Sequence, residues 1–279
     1  MTGPVQRTGS VQRTGTVLLT GAAGGVGTFL RERLPAHGHR LVAADRLPVP
    51  GDPDALRFDL GDAEAVRAAV RGVDAVVHLG GISVEDGFEA ILDANIRGTY
   101  HLYEAVRREG VRRVVLASSN HAVGFHPLTG GTPIGSDLPP RPDTYYGLSK
   151  AFGENLATLY SDKYGVQTVS LRIGSCFARP RSVRMLSTWL SPDDCARLVH
   201  AALTAPDVGH TVVNGISANT RAWWDLSSAR ALGYRPRDDA ERYAGAVLAE
   251  HGELDPGHVD ARLIGGHFTE TEPPGGAAG

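Results

Sequence analysis

The sequence predicts an α/β protein built on a doubly wound parallel sheet, with a small C-terminal substrate lobe. Two observations lead to this fold class. Apolar strands alternate with helical patterns along most of the 279 residues, which favours right-handed crossovers and helices on both faces of a parallel sheet. The first strand also runs directly into a glycine-rich turn at residues 21–27. Such a turn is typical of a Rossmann-type sheet.

The elements follow one another in the order that this fold requires. Strands are predicted at Val17–Thr20, Leu41–Asp45, Ala55–Leu60, Val73–Leu79, Val114–Ser118 and Val169–Ile173. Helices are predicted at Val26–Arg33, Ala63–Val70, Phe88–Arg108 and Tyr145–Tyr164. The later chain predicts a loop at Arg181–Trp189, a helix at Ser191–Thr204, a strand at Thr211–Asn214 and a helix at Ala240–Glu250. Ligands bind beyond the carboxyl ends of such strands, so functional residues are expected there.

We divide the chain into four parts. Residues 1–16 hold a near-duplicate, Val-Gln-Arg-Thr-Gly-Ser and Val-Gln-Arg-Thr-Gly-Thr, and form an extension that we expect to be flexible. Residues 17–178 form the dinucleotide-binding core. Residues 179–269 form the substrate lobe, with elements that return to the core. Residues 270–279 are rich in Pro and Gly, which predicts a mobile tail.

The composition excludes several classes of function. With 42% hydrophobic and 21% charged residues, the chain is an ordinary globular protein. Its formal net charge of −3 argues against nucleic acid and anionic membranes as partners. No segment predicts a membrane span. The two cysteines, Cys176 and Cys195, fit neither a disulfide framework nor a metal site, and they favour a cytoplasmic location.

The turn at residues 21–27 predicts a phosphate site. Gly21, Gly24 and Gly27 allow a positive φ, a close approach of phosphate to the main chain, and tight packing of the next helix. Val26 begins that helix, whose N-terminal N–H groups attract an anion, and Gly25 directly precedes it; both are expected to contact the cofactor.

Acidic and small residues follow the other strands. Asp45 ends the second strand 24 residues after Gly21, where an acidic side chain binds the adenosine ribose of NAD and repels the 2′-phosphate of NADP. The cofactor is therefore predicted to be NAD. Further cofactor contacts are expected from Asp59, Leu60, Leu79, Gly80, Gly81, Ser118 and Ile173.

A tyrosine and a lysine on one helix predict proton transfer. Tyr146 and Lys150 lie four residues apart, so they share a helix face. A fixed positive charge favours the phenolate, which can then exchange a proton with a substrate hydroxyl. Tyr145 is a weaker candidate, because it lies five residues from Lys150.

These motifs resemble the extended short-chain dehydrogenase/reductase superfamily. The resemblance implies that Ser119 holds the reacting oxygen, that Tyr146 moves the proton, and that Lys150 lowers the tyrosine pKa and binds the nicotinamide ribose. Four further blocks are similar to the uronate dehydrogenase family, namely His78-Leu-Gly-Gly-Ile-Ser-Val-Glu85, Ala117-Ser-Ser-Asn-His-Ala-Val-Gly124, Arg172-Ile-Gly-Ser-Cys176 and Arg184-Met-Leu-Ser-Thr-Trp189.

That family oxidises a hexuronic acid at the anomeric carbon to an aldarolactone, with reduction of NAD. The resemblance implies substrate contacts from Ser83, Ser119, Asn120, His121, Tyr146, Ser175, Arg184 and Phe268. Arg184 can bind a carboxylate through two parallel hydrogen bonds, although it can equally form a surface salt bridge. A homo-oligomer is implied by the resemblance alone.

Two other functions are compatible with the motifs. The same serine, tyrosine and lysine serve nucleotide-sugar 4-epimerases and dehydratases, but those enzymes need a larger second lobe. A regulator that binds NAD without turnover is the second alternative, and such a protein has no need of Tyr146 or Lys150.

Overall fold

The computed structural model describes residues 15–128 and 130–274. Most of the extension predicted at residues 1–16 and half of the tail predicted at residues 270–279 lie outside the described residues. The described part includes residues 15–16 and 270–274, and Thr16 is already the first residue of a strand. The strands are β1 (Thr16–Thr20), β2 (Arg40–Asp45), β3 (Leu56–Arg57), β4 (Ala75–His78), β5 (Arg113–Ser119), β6 (Gln167–Ile173), β7 (Ser175–Cys176), β8 (Trp189–Leu190) and β9 (His210–Gly215).

Seven of these strands form one parallel sheet in the order β3-β2-β1-β4-β5-β6-β9. The strand order reverses between β1 and β4, and a crevice for ligands opens at this point in doubly wound sheets. The predicted Rossmann-type fold is confirmed. Strands β7 and β8 pair separately beside the sheet.

Helices cover both faces of the sheet. They are α1 (Gly25–Arg33), α2 (Ala63–Val70), α3 (Phe88–Ile91), α4 (Gly98–Glu109), α5 (Tyr145–Tyr164), α6 (Met185–Thr188), α7 (Pro192–Thr204), α8 (Ser227–Ala231), α9 (Ala244–His251) and α10 (Val259–Arg262). Within β1, Val17 and Leu19 pack on the face that α1 and α7 cover, and Leu18 packs on the face of α2 and α4. This alternation follows from the two-residue period of a strand. None of the described helices has the length and apolar character to cross a bilayer.

The structure differs from the sequence prediction at two elements of the core. The third strand pairs only over Leu56–Arg57, at the edge of the sheet, where no buried face extends the pairing. The predicted helix over residues 88–108 is divided into α3, a π-helical segment at Leu92–Arg97, and α4. That segment contains the buried Asn95, and π turns are frequent at functional sites.

Two elements differ after residue 180. The predicted loop at residues 181–189 contains α6 and the start of β8. The final helix starts with a 3-10 turn at Ala240–Tyr243 and becomes α-helical only in α9. The predicted strand at residues 211–214 is present as β9, which pairs with β6 in the main sheet.

Candidate active site

The turn between β1 and α1 forms a cradle of backbone at the switch point of the sheet. Gly21 has a φ of +72°, and a Cβ there would meet the backbone of Leu79 and Gly80 at 2.7 to 2.9 Å. A Cβ at Gly27 would overlap the carbonyl oxygen of Gly21, whereas Gly25 faces open space. The first N–H groups of α1 lack helical partners. The cradle therefore fits a pyrophosphate on backbone amides.

Asp45 lies beside this cradle at the end of β2. One carboxylate oxygen accepts a hydrogen bond from the N–H of Ala23 at 3.0 Å, and the other accepts one from Leu47 at 2.9 Å. These contacts fix the carboxylate next to the glycine turn. Each oxygen keeps a further lone pair, so the group fits the ribose hydroxyls for which the sequence predicted it.

Most other predicted cofactor residues lie at the same edge of the sheet. Leu60 packs against Gly80, where a Cβ would lie 2.9 Å from its Cδ1. Gly81 has a φ of +134°, and the side chain of Asn95 fills the space that a Cβ would need. Asp59 is exposed and caps the turn after β3. Gly24 and Val26 lie at the start of α1, Leu79 directly follows β4, and Ile173 ends β6.

Ser118 has a different environment from the other predicted cofactor residues. Its buried hydroxyl donates to Glu154 at 2.6 Å, and Arg172 donates two hydrogen bonds to the same carboxylate at 2.8 and 2.9 Å. Arg172 also donates to the carbonyls of Ser136 and Leu138. This network attaches the long connection before α5 to the sheet. A cofactor contact at Ser118 would therefore use its backbone.

The three predicted catalytic residues meet where β5 ends and α5 begins. The hydroxyl of Ser119 lies close enough to that of Tyr146 to lower the pKa of the phenol. Lys150 lies one turn after Tyr146, donates to the carbonyl of Ala117 at 2.9 Å, and places its Nζ 5.3 Å from the centre of the tyrosine ring. Thr144 caps α5 by accepting the N–H of Gly147, which sets where the helix begins.

Burial controls the titration of this pair. It raises the pKa of Tyr146 to about 12, with a smaller increase from the charge of Asp143, while the hydrogen bond from Ser119 acts in the opposite direction. Burial also lowers the pKa of Lys150 to about 8. We predicted that the lysine lowers the tyrosine pKa. The net pKa of the phenol is nevertheless raised in the protein alone, because of its desolvation, and the lowering by Lys150 stays a prediction.

The segment after α10 forms one wall of the site. Asn120 donates to the carbonyl of Ile264 at 3.1 Å, and Arg184 donates to the same carbonyl. Arg184 also donates to the carbonyls of Asp260 and Leu263 at 3.0 and 3.2 Å. Since Asn120 directly follows Ser119, this shared carbonyl connects Arg184 to the reaction centre.

Arg184 is half-buried, and among the described residues its guanidinium bonds to backbone carbonyls and to no carboxylate, which argues against the alternative of a surface salt bridge. Desolvation lowers the pKa of its guanidinium to about 10, against the charges of Asp260 and Asp143. The three carbonyl contacts use its Nη1 and Nη2 atoms. Among the described residues, no protein acceptor bonds its Nε. A guanidinium has five N–H donors, so the edge that includes Nε keeps the capacity to bind a carboxylate.

Ser175 and Ser83 lie in two further segments of the chain. Ser175 lies in β7, and its hydroxyl is hydrogen-bonded to Thr188 at 3.0 Å. Ser83 lies in the exposed loop after β4. Glu85 in that loop accepts the N–H groups of Tyr145 and Tyr146 at 3.1 and 2.8 Å. The loop is therefore attached to the start of α5.

His121 packs between two aromatic rings. It stacks on Phe268, with the ring centres 4.0 Å apart, and meets Tyr146 edge to face at 5.8 Å. Its Nδ1 is 2.7 Å from the carboxylate of Asp143. The structure thus brings Phe268, which the resemblance implied, into contact with the predicted substrate histidine.

The sequence analysis missed three residues that support the site. Asp143 contacts His121, and Glu85 caps α5. Asn95 holds the loop after β4, because its side chain bonds to the backbone N–H and carbonyl of Ile82 and to the hydroxyl of Ser149. The available signals were weak. Asp143 directly precedes the cap of a predicted helix, and Glu85 ends a block that we used for the resemblance.

Comparison with known proteins agrees with this geometry. The chain matches the NAD dependent epimerase/dehydratase family over residues 17–191. It is 49% identical over 260 residues to the uronate dehydrogenase of Pseudomonas syringae pv. tomato, which covers 91% of this chain and 93% of that protein. The fold and the site define a Rossmann-type dehydrogenase of this family.

Two solved structures indicate which enzymes of this family the chain is similar to. Glucuronic acid dehydrogenase from Chromohalobacter salexigens superposes with a TM-score of 0.89 at 44% identity, over 94% of this chain and 99% of that chain. A tyrosine-to-alanine variant of uronate dehydrogenase from Agrobacterium tumefaciens, complexed with NAD, has a TM-score of 0.86 at 47% identity, over 92% and 97% of the chains. Within the larger family, the chain belongs to the uronate dehydrogenases. The resemblance stated from the sequence is confirmed.

Proposed function

We propose that this chain oxidises a hexuronic acid, such as glucuronate or galacturonate, at its anomeric carbon to an aldarolactone, with reduction of NAD. Uronate dehydrogenases at 47–49% identity support this activity. The observation that carries the choice of substrate is Arg184. It is a half-buried guanidinium whose Nε has no acceptor among the described residues, and it donates to the same carbonyl as Asn120.

The reaction removes a hydride and a proton from one carbon and its oxygen. NAD⁺ supplies the acceptor for the hydride that leaves the anomeric carbon with both electrons of the C–H bond. Ser119 and Tyr146 hold the anomeric hydroxyl, and Tyr146 as phenolate takes its proton. The electrons of the O–H bond form the carbonyl of the lactone. Lys150 supplies a positive charge beside the phenol and fits the ribose hydroxyls.

The substrate carboxylate and the ring hydroxyls need different partners. We propose that Arg184 binds the carboxylate through its Nε edge, since a guanidinium matches two carboxylate oxygens. Ser83, Asn120, His121 and Ser175 supply neutral donors and acceptors for the hydroxyls, and Phe268 covers the histidine.

The cofactor site favours NAD over NADP in this proposal. Asp45 would accept hydrogen bonds from the ribose hydroxyls and repel a 2′-phosphate. The cradle at Gly21 and Gly27 supports the site for the pyrophosphate, because side chains there would meet backbone.

The proposal is tested by incubating the purified protein with NAD and a panel of glucuronate, galacturonate, glucose and a nucleotide sugar. We expect NADH absorbance with the uronates alone. Turnover of the nucleotide sugar without net NADH would support the epimerase alternative. NAD binding without turnover of any sugar would support the regulator.

We also propose that the enzyme is a cytoplasmic homo-oligomer. Both cysteines are free and buried, which suits a reducing compartment. Helices α4 and α5 expose large apolar side chains that supply a surface for a second copy of the chain. These side chains are Tyr100, Leu148, Leu159 and Tyr164. Light scattering on the purified protein measures the mass. A monomer would contradict the proposal.

A further inference from the structure

A carboxylate lies fully buried beside the reaction centre, at the residue before the cap of α5. The side chain of Asp143 has 0% of its surface exposed. Three glycines surround it, and a Cβ at Gly124 or Gly265 would overlap its carboxylate, while one at Gly147 would lie 2.9 Å from it. A buried carboxylate is costly unless it is paired and hydrogen-bonded. Its surroundings are therefore shaped around this group.

Asp143 has two side-chain partners. Oδ1 accepts a hydrogen bond from the hydroxyl of Thr144 at 2.9 Å. Oδ2 lies 2.7 Å from Nδ1 of His121. Because an ionised carboxylate only accepts hydrogen bonds, Nδ1 of the histidine must carry a hydrogen. In a neutral imidazole the other nitrogen, Nε2, is then an acceptor.

Nε2 of His121 is available to a ligand. No acceptor or donor among the described residues bonds to this nitrogen. It is also not fully buried, so a ligand can reach it. The ring is held in place by the stack on Phe268 and the edge of Tyr146. The histidine thus presents a fixed acceptor beside the tyrosine that moves the proton.

We propose that Asp143 is a positioning and specificity-determining residue, which holds His121 as the Nδ1–H tautomer so that Nε2 accepts a hydrogen bond from a sugar hydroxyl. The inference rests on the proposed function. An acceptor at Nε2 binds a hydroxyl but repels a carboxylate, whereas Arg184 binds the carboxylate. The two groups together set the direction in which a uronate enters the site.

The Asp143→Asn variant tests this role at nearly constant shape. The amide of the new side chain can donate to Nδ1, which moves the hydrogen to Nε2 and turns the acceptor into a donor. We expect kcat/KM for uronates to fall by about 5- to 150-fold, the cost of a mismatched buried hydrogen bond, mainly through KM. NAD affinity and Tm should change little. Asp137→Asn, on the exposed part of the same connection, is the matched control and should retain wild-type kinetics.

A double-mutant cycle with His121→Ala separates positioning from a structural role. If Asp143 acts through the histidine, Asp143→Asn should cause no further loss in the His121→Ala background. The proposal would be overturned if the fold-losses in kcat/KM of the two single variants multiplied in the double variant. Wild-type uronate kinetics in Asp143→Asn would also overturn it.

Nitrogen NMR of the wild-type imidazole tests the same inference without turnover or mutation. The result expected for His121 is a protonated Nδ1 and an unprotonated Nε2. The opposite tautomer would overturn the proposal, even if Asp143→Asn does not fold. Failure of the proposed function would appear instead as wild-type protein that oxidises no uronate.

Discussion

The cofactor side and the substrate side of this site are built in different ways. The cofactor side consists of the turn at residues 21–27, Asp45 and residues 79–81. It comes from the ends of three neighbouring strands and offers mainly backbone and glycine. The substrate side takes side chains from six separate segments between Ser83 and Phe268. The shape of the cofactor side is set by residues close to one another in sequence. The substrate side depends on contacts between distant segments, which form only when the chain folds.

The substrate side depends on a few carbonyls and carboxylates that join its segments. Ile264 offers one carbonyl to both Asn120 and Arg184. Asp143 joins the end of β5 to the start of α5 through His121. A substitution on this side can therefore alter substrate binding and leave the cofactor cradle intact. The predictions below test that separation.

The largest effect is expected at the boundary between the two sides. Tyr146→Phe keeps the ring and removes the proton acceptor, so turnover should fall by a factor on the order of 10² to 10⁴. NAD affinity, measured by calorimetry, should stay close to that of the wild type. Wild-type turnover in this variant would mean that Tyr146 is not the base, and that His121 or Tyr145 takes the proton instead.

Arg184→Ala should have the next largest effect, confined to the substrate side. Loss of one partner of a buried charge pair costs about 2–5 kcal/mol in binding, so KM for uronates should rise steeply. Arg184→Lys should recover part of the loss, because an ammonium cannot form the two parallel hydrogen bonds of a guanidinium. Steady-state kinetics with glucuronate and glucose measure the effect.

A control must separate carboxylate binding from the support of the wall. Arg184→Ala also removes the donors to three carbonyls at residues 260–264, so Tm should be measured with each variant. A lower Tm with unchanged uronate KM would mean that Arg184 only supports the wall and that another group binds the carboxylate.

Gly27→Ala should damage the cofactor side by a smaller amount. The new Cβ would overlap the carbonyl of Gly21, and overpacking of this kind costs about 1–3 kcal/mol. We expect weaker NAD binding and a lower Tm. Gly245→Ala is the matched control, since Gly245 is in α9 and a Cβ there meets nothing within 4 Å. Equal NAD affinity in the two variants would contradict the role of Gly27 in shaping the cradle.

The contrast between the two sides also explains what could be predicted from the sequence. The strands, the glycine turn, Asp45 and the spacing of Tyr146 and Lys150 depend on neighbours close in sequence, and patterns report such neighbours. Glu85 caps α5 from 61 positions away, and no local pattern contains that contact. The π-helical segment around Asn95 is likewise invisible in the periodicity of residues 88–108.

Arg184 illustrates the same limit. Its type and place after β6 suggested a carboxylate ligand, but its burial and its carbonyl partners depend on a segment about 80 residues further along the chain. Phe268 was implied by resemblance alone, and its stack on His121 depends on the same segment. Similarity to relatives supplied what spacing could not.

The last effect concerns stability in acid rather than turnover, and it involves a histidine at the end of β4. Burial, together with the charge of Lys150, lowers the pKa of His78 from 6.5 to about 3. Its two ring nitrogens are hydrogen-bonded to the hydroxyls of Thr20 and Thr99. Between these pKa values the unfolded chain binds a proton that the folded chain does not bind. The stability is therefore complete above pH 6.5 and falls as the pH decreases towards 3.

The slope from His78 should be about 1.4 kcal/mol for each pH unit below 6.5. Burial lowers the pKa of His39 as well, to about 4, so a second contribution of the same sign is expected.

Urea denaturation at several pH values between about 7 and 4.5 measures the slope. His78→Gln should be less stable at neutral pH but show a shallower decrease with acid, because the group that must gain a proton is absent. His251→Gln, on the exposed end of α9, is the matched control for loss of an imidazole. An unchanged slope in His78→Gln would show that His78 does not cause the loss of stability in acid, and that carboxylates or His39 account for it.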